Sequence, residues 1–221
     1  MAKILVYNNY SNRMETYYRG LSEAMPYNAN RTLTVKEFRA NSRSNILWTS
    51  TLTMNAWNSF RYIYGRGIFV GFAFKRCWEG GHYDLSQHYA GTAFDVAQNL
   101  SYSGRLAMRN LAASSGIWNY VEPISSTPTW VHFDERTTVA GYPIIRFGDK
   151  SNYVCTAQDA LNVLGYNTGG LDGIFGSNTR NAVLTFQSRN GLSADGILGP
   201  LTWSRLMAQV NGIGQTATVI N

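Results

Sequence analysis

Apolar positions in the first 140 residues follow two different rhythms. In "STLTMNAWNSFRYIYG", residues 50–65, Met54, Trp57 and Phe60 recur at helical spacing, and Gly65 follows as a stop. "SGRLAMRNLAASSG" gives a second helix, closed by Gly116. "GIFVGFAF", residues 67–74, is an unbroken apolar run, which predicts a strand buried on both faces. "GIWNYVEP" and "TWVHFDER" read as two strands joined by "ISSTP". Helices and strands in this order predict an α+β domain with a mainly antiparallel sheet and flanking helices. Residues 1–47 carry no pattern clear enough to assign.

The C-terminal part has a different grammar. "LDGIFGSNT" at 171–179 returns as "ADGILGPLT" at 194–202, so one loop-then-helix unit is used twice. Asp172 and Asp195 supply turn chemistry, and Pro200 suits a first helical turn. Ala182, Val183 and Phe186 mark the helix between the copies. "TAQDALNVLG" precedes it, with Thr156 and Asp159 spaced like a capping box, and "LTWSRLMAQV" follows. These three helices predict a small domain over 152–211, joined by a short connection at 141–151 to a larger domain over 1–140. Tyr166, Phe175 and Trp203 are expected in its core or groove wall, Phe175 in the core.

Composition narrows the class. With 44% hydrophobic and 14% charged residues, the 221-residue chain is that of a folded globular protein. The formal charge of +6 favours an anionic partner, but the basic residues are scattered singly, which argues against nucleic acid. No segment approaches the ~20 apolar residues of a membrane span. "MAKILVYNNYSNRM" lacks a secretory apolar core, so synthesis in the cytoplasm without a cleavable signal is expected. Cys77 and Cys155 stand far apart outside any paired motif and are expected to be buried free thiols.

Candidate chemistry centres on "SQHYAGTAFDVA", residues 86–97, where His88 and Asp95 interrupt a stretch that otherwise favours buried strand. An unpaired charge there is costly. His132, one of only three histidines in the chain, lies in another apolar strand. Two imidazoles and a carboxylate are a ligand set for catalytic zinc, with the fourth position left to water. The same set serves non-haem iron oxygenases, although the seven-position gap from His88 to Asp95 is not their usual tight pair. Isolated histidines and aspartates are more often hydrogen-bonded structural groups, so the spacing leaves both readings open.

The pattern Ser86-x-His88-x-x-Gly91-x-Ala93-x-Asp95, followed by Trp130-Val131-His132-Phe133-Asp134, resembles the zinc D-alanyl-D-alanine peptidases of bacterial cell walls and phage lysins. The resemblance covers residues 67–136. The repeat region resembles the three-helix peptidoglycan-binding domain that often accompanies such enzymes. The resemblance implies a Zn2+ metallopeptidase of carboxypeptidase or endopeptidase type, with His88, Asp95 and His132 as ligands and peptidoglycan as substrate. Anionic wall polymers would be a second partner. It further implies that Arg76 binds a substrate carboxylate or developing oxyanion. Relatives commonly carry the general base three residues before the last ligand, where this chain has Thr129. Glu122 is then the first candidate, expected near Thr129 across a hairpin. Asp134 could orient a ligand, and His82 could donate a proton or stabilise an oxyanion. A monomeric endolysin or autolysin that reaches the wall after release is the expected setting. The competing expectation is a non-catalytic wall-binding protein with a structural metal.

Overall fold

The computed structural model describes residues 1–139 and 141–213. It is an α+β protein with two sheets and a C-terminal three-helix segment. Strands β1 (Ala2–Asn8) and β2 (Arg13–Arg19) form an antiparallel hairpin. Strand β3 (Ile46–Ser50) adds to β1 in parallel, placing Trp48 opposite Leu5. This sheet is built largely from the segment that had no legible pattern. Helix α1 (Val35–Arg39) precedes β3, its start fixed by the reciprocal Thr34 and Glu37 capping box. Helix α2 (Thr51–Tyr64) runs as expected, from a Ser50 cap to Gly65 in left-handed geometry.

The second sheet carries the chemistry. Strands β4 (Val70–Phe72), β5 (Ala93–Val96), β6 (Tyr120–Val121) and β7 (Val131–Asp134) are ordered β4-β5-β7-β6, all antiparallel. Side chains alternate across a strand, so the two faces differ in character. On one face, Phe94 and Phe133 enter an aromatic core with Trp57, Phe60 and Trp118; the Trp118 and Phe133 rings stack at 4.3 Å. Helices α2 and α4 (Tyr102–Ser115) cover that face. On the other face lie Asp95, His132 and Asp134.

Two sequence expectations change here. The run 67–74 is not a doubly buried strand: only Val70–Phe72 pair, each half-buried, and Phe69 is exposed. β4 lies at the sheet edge, with a register shift between Val70 and Phe72, so it has a single strand neighbour. The segment 86–97 is not all strand either. It opens with the four-residue helix α3 (Gln87–Ala90), capped by Ser86, and only then becomes β5.

The C-terminal segment contains α5 (Asn152–Val163), α6 (Ser177–Arg189) and α7 (Pro200–Ile213). Phe175 and Trp203 are fully buried in its core. α5 begins earlier than the supposed capping box: Ser151 accepts from the Val154 amide, and Thr156 and Asp159 lie inside the helix. The connection is part of this fold, since Ile145 bridges to Leu198 and Lys150 to Ile174. Both cysteines are free and buried. No described helix is long and apolar enough to cross a membrane.

Candidate metal centre

Three elements bring the site together. Asp95 on β5 and His132 on β7 are direct partners in the antiparallel ladder, which sets them side by side on one face. His88 arrives from α3, and the chain reverses between the two motifs at Gly91. There φ is +68°, and a Cβ would sit 1.9 Å from the Trp48 carbonyl oxygen, so glycine is required.

Hydrogen bonding aims both imidazoles. His88 Nδ1 donates to the Ala73 carbonyl at 2.8 Å, which points Nε2 at Asp95, 3.3 Å from Oδ2. His132 Nε2 lies 3.0 Å from Asp134 Oδ2, while its Nδ1 lies 2.7 Å from Asp95 Oδ1. One ligand atom from each of His88, Asp95 and His132 falls within 4.8 Å of the others. His88 and His132 are buried, and Asp95 is only slightly more open. Each histidine therefore has one nitrogen held by an outer acceptor and the other directed at a shared carboxylate. That donor set fits a divalent cation such as zinc, with the outer contacts fixing ring orientation.

Burial alone would raise the Asp95 carboxyl, but the charge of His88 and hydrogen bonds from His132 and His88 outweigh it and hold the carboxyl well below the usual range. Burial disfavours charge on His132 as well, yet its bonds to Asp134 and Asp95 raise it to about 9. His132 thus favours protonation on both nitrogens, with Nε2 toward Asp134 and Nδ1 toward Asp95, the side on which a cation would fit.

The remaining sequence candidates are placed as follows. Asp134 is fully buried and held by Arg136 through Nε at 2.8 Å and Nη2 at 2.6 Å. Arg136 also stacks over Tyr120 at 3.7 Å. Arg136 was missed in the sequence, although its two-residue spacing from Asp134 was the available signal. His82 lies beside His88, ring centroids 4.6 Å apart; burial first, then the charge of His88, lowers it to about 3. Glu122, expected near Thr129, pairs three residues further along, on β7. Its amide donates to the His132 carbonyl at 3.0 Å, and the β6–β7 register places it across from His132, on the same face. Two prolines in the intervening loop hid this register. Arg76 is 1% exposed, with Nη2 2.5 Å from Asp159 Oδ1 and Nη1 3.0 Å from Ser44 Oγ. A substrate carboxylate would have to displace Asp159 to reach it.

Residues 150–206 match the family described as "Putative peptidoglycan binding domain". The chain therefore carries a C-terminal domain of this kind. It is 51% identical over 49 residues to N-acetylmuramoyl-L-alanine amidase CwlM of Mycobacterium tuberculosis, covering 22% of this chain and 12% of that protein. It is 43% identical over 65 residues to an "Uncharacterized protein in bpoA1 3'region" of Kitasatospora aureofaciens, covering 29% of this chain and 55% of that one. The chain thus spans well under two thirds of either curated relative. A solved peptidoglycan-binding protein from Clostridioides difficile, in complex with glutamine hydroxamate, is 47% identical with a TM-score of 0.31. That match covers 33% of this chain and 45% of that one.

Proposed function

We propose that this protein is a zinc-dependent peptidase that cuts a peptide bond in the stem peptide or cross-link of peptidoglycan, held at the bacterial wall by its C-terminal domain. The observation that carries this reading is the convergence of His88 Nε2, His132 Nδ1 and an Asp95 carboxylate oxygen within 4.8 Å. His88, Asp95 and His132 would hold the zinc, which would supply Lewis acidity for a substrate carbonyl and for water near neutral pH.

The chain's own groups have distinct tasks in this reading. Glu122, across from His132 on the same face, takes the proton from water and passes it to the leaving amine. His82, lowered to about 3, is neutral at working pH and serves as a hydrogen-bond donor to the developing oxyanion, not as an acid. Asp134, backed by Arg136, holds His132 in its metal-facing orientation. Arg76 acts as a structural residue at the contact with α5. The C-terminal domain raises the local concentration of cleavable bonds. The net charge of +6 adds attraction to anionic wall polymers, which salt weakens.

A second reading, a wall-binding protein with a structural ion, is favoured by one observation: the family match at 150–206 lies wholly outside the metal cluster. Purified walls incubated with zinc-loaded protein and with His88→Ala separate the two. Release of new amines and carboxyls by the wild type alone supports the peptidase, and mass spectrometry of the products assigns the bond and the exo or endo mode. Zinc-loaded wild type that adheres to walls but releases nothing leaves the second reading standing.

A further inference from the structure

Helix α3 is too short to hold itself. Four residues make barely one turn, so its terminal carbonyls must find partners elsewhere. The Gln87 and His88 carbonyls are taken by the following turn and by the Lys75 amide, and Trp48 Nε1 donates to the Tyr89 carbonyl at 2.9 Å. The last two carbonyls, of Tyr89 and Ala90, also draw on α5, the first helix of the C-terminal domain. Thr156 Oγ1 donates to the Tyr89 carbonyl at 3.0 Å, and Asn152 Nδ2 donates to the Ala90 carbonyl at 2.8 Å. Tyr153 donates its hydroxyl to Gln87 Oε1 at 3.0 Å. From the connection, the Tyr142 hydroxyl donates to the Ser86 carbonyl at 2.5 Å. His88 sits in the middle of this clamped turn.

A second tie reaches His88 from its other side. The Ala73 carbonyl that accepts from His88 Nδ1 lies three residues before Arg76, and Arg76 is anchored to Asp159. Asn152, Thr156 and Asp159 follow one another at four and three positions, the spacing of a single helix face. All three are at most 3% exposed. In an independent three-helix unit this polar face would meet water. Here it is buried, and each member is paired with the metal-bearing part of the chain.

We infer that the Asn152–Thr156–Asp159 face of α5 is a set of positioning residues for the metal ligand His88, so the wall-binding domain is also part of the metal-site scaffold. This rests on the metal-binding reading above. It predicts that the domain cannot be treated as a detachable anchor, because the backbone turn that presents His88 Nε2 is held from α5.

The test uses the full chain, with Thr156→Val and Asn152→Ala singly and together. Two measurements are made: zinc affinity by competition with a chromophoric chelator, and the visible d–d absorption of the cobalt-substituted protein. Zinc binding should weaken about tenfold in the double variant. The cobalt bands should shift in each variant, and Thr156→Ser, which keeps the hydroxyl, should restore both signals. Gln158→Ala controls for general loss of stability, since Gln158 bonds only within the C-terminal domain and its change should leave both signals as in the wild type. Wild-type affinity and an unshifted cobalt spectrum in the single and double variants would overturn the inference while leaving the metal site intact. Wild-type protein that takes up no zinc would instead overturn the metal reading itself.

Discussion

The protein contains two kinds of buried polar cluster, and the contrast between them separates structure from chemistry. In the C-terminal domain, Gln158 Nε2 lies 2.8 Å from Asp172 Oδ1, 3.1 Å from the Ile174 carbonyl and 3.1 Å from Thr179 Oγ1. In the second copy, Gln187 Nε2 lies 2.8 Å from Asp195 Oδ1, 2.9 Å from the Ile197 carbonyl and 3.1 Å from Thr202 Oγ1. Their Oε1 atoms accept the Gly173 and Gly196 amides, each at 2.9 Å. These cages are neutral at their centres, and both ends of each glutamine amide are spent on the loop it shapes. In the metal cluster, two ring nitrogens are occupied from outside while the other two converge on a carboxylate with a charge mismatch. Burial of polar groups alone does not mark a functional site; the direction of the donor atoms left over does.

The largest predicted effect tests whether that convergence works as a reaction centre. Glu122→Gln should lower kcat by about 10²–10⁴-fold. Zinc stoichiometry should stay at the wild-type value, because Glu122 is not among the converging atoms. Loss of turnover with zinc retained would separate holding the ion from using it. If the variant keeps full activity, Glu122 is not the base and Asp134 becomes the next carboxylate to test.

How much of this was legible in the sequence follows the same division. The duplicated Asp-Gly-Ile loops and helices α2, α4, α6 and α7 announce themselves because their signals are local: periodic apolar positions, caps and stop glycines. α3 was hidden because four residues carry too little intrinsic preference, and its partners, Trp48, Lys75 and α5, are distant in sequence. Thr156 and Asp159 have the spacing of a helix cap, and nothing in their neighbourhood reveals that their partners are Tyr89 and Arg76. The three residues His88, Asp95 and His132 could be grouped because polar residues in apolar strands are conspicuous. Register across Pro123 and Pro128 could not be read, since it depends on how the loop between them folds.

The next effect concerns the charge held in the metal-free cluster. His132 is raised to about 9 in the folded protein, against an unfolded value near 6.5. A raised folded value contributes stability that is fully present below about pH 6.5 and is lost as pH climbs through about 9. Metal-free protein should therefore lose on the order of 3 kcal/mol between pH 6.5 and pH 10 from this group. Zinc-loaded protein should not show that loss, because the ion replaces the proton and gains from its removal as pH rises. Denaturant titrations across this range, with and without chelator, measure the difference. Identical pH profiles would mean that proton and ion do not compete for the same place.

The smallest effect belongs to the closed cages and sharpens the contrast from the other side. Gln187→Ala removes a side chain that is 1% exposed and strands the Gly196 amide and the Ile197 carbonyl, while Asp195 Oδ1 keeps the Ile197 amide. A buried group left without its partner costs about 1–3 kcal/mol, so the loss of stability should be near 2 kcal/mol. Water can reach Asp195 at the loop surface, which keeps the cost below the sum of the individual bonds. Gln158→Ala should cost a similar amount, because its cage repeats the same contacts at nearly the same distances. Zinc affinity should be unaffected in both variants, since the hydrogen bonds of both glutamines stay within the C-terminal domain. Urea titrations paired with chelator competition read both quantities on the same samples. If either glutamine variant weakens zinc binding as much as Asn152→Ala does, the two clusters are not separable, and the face of α5 has no special claim on His88.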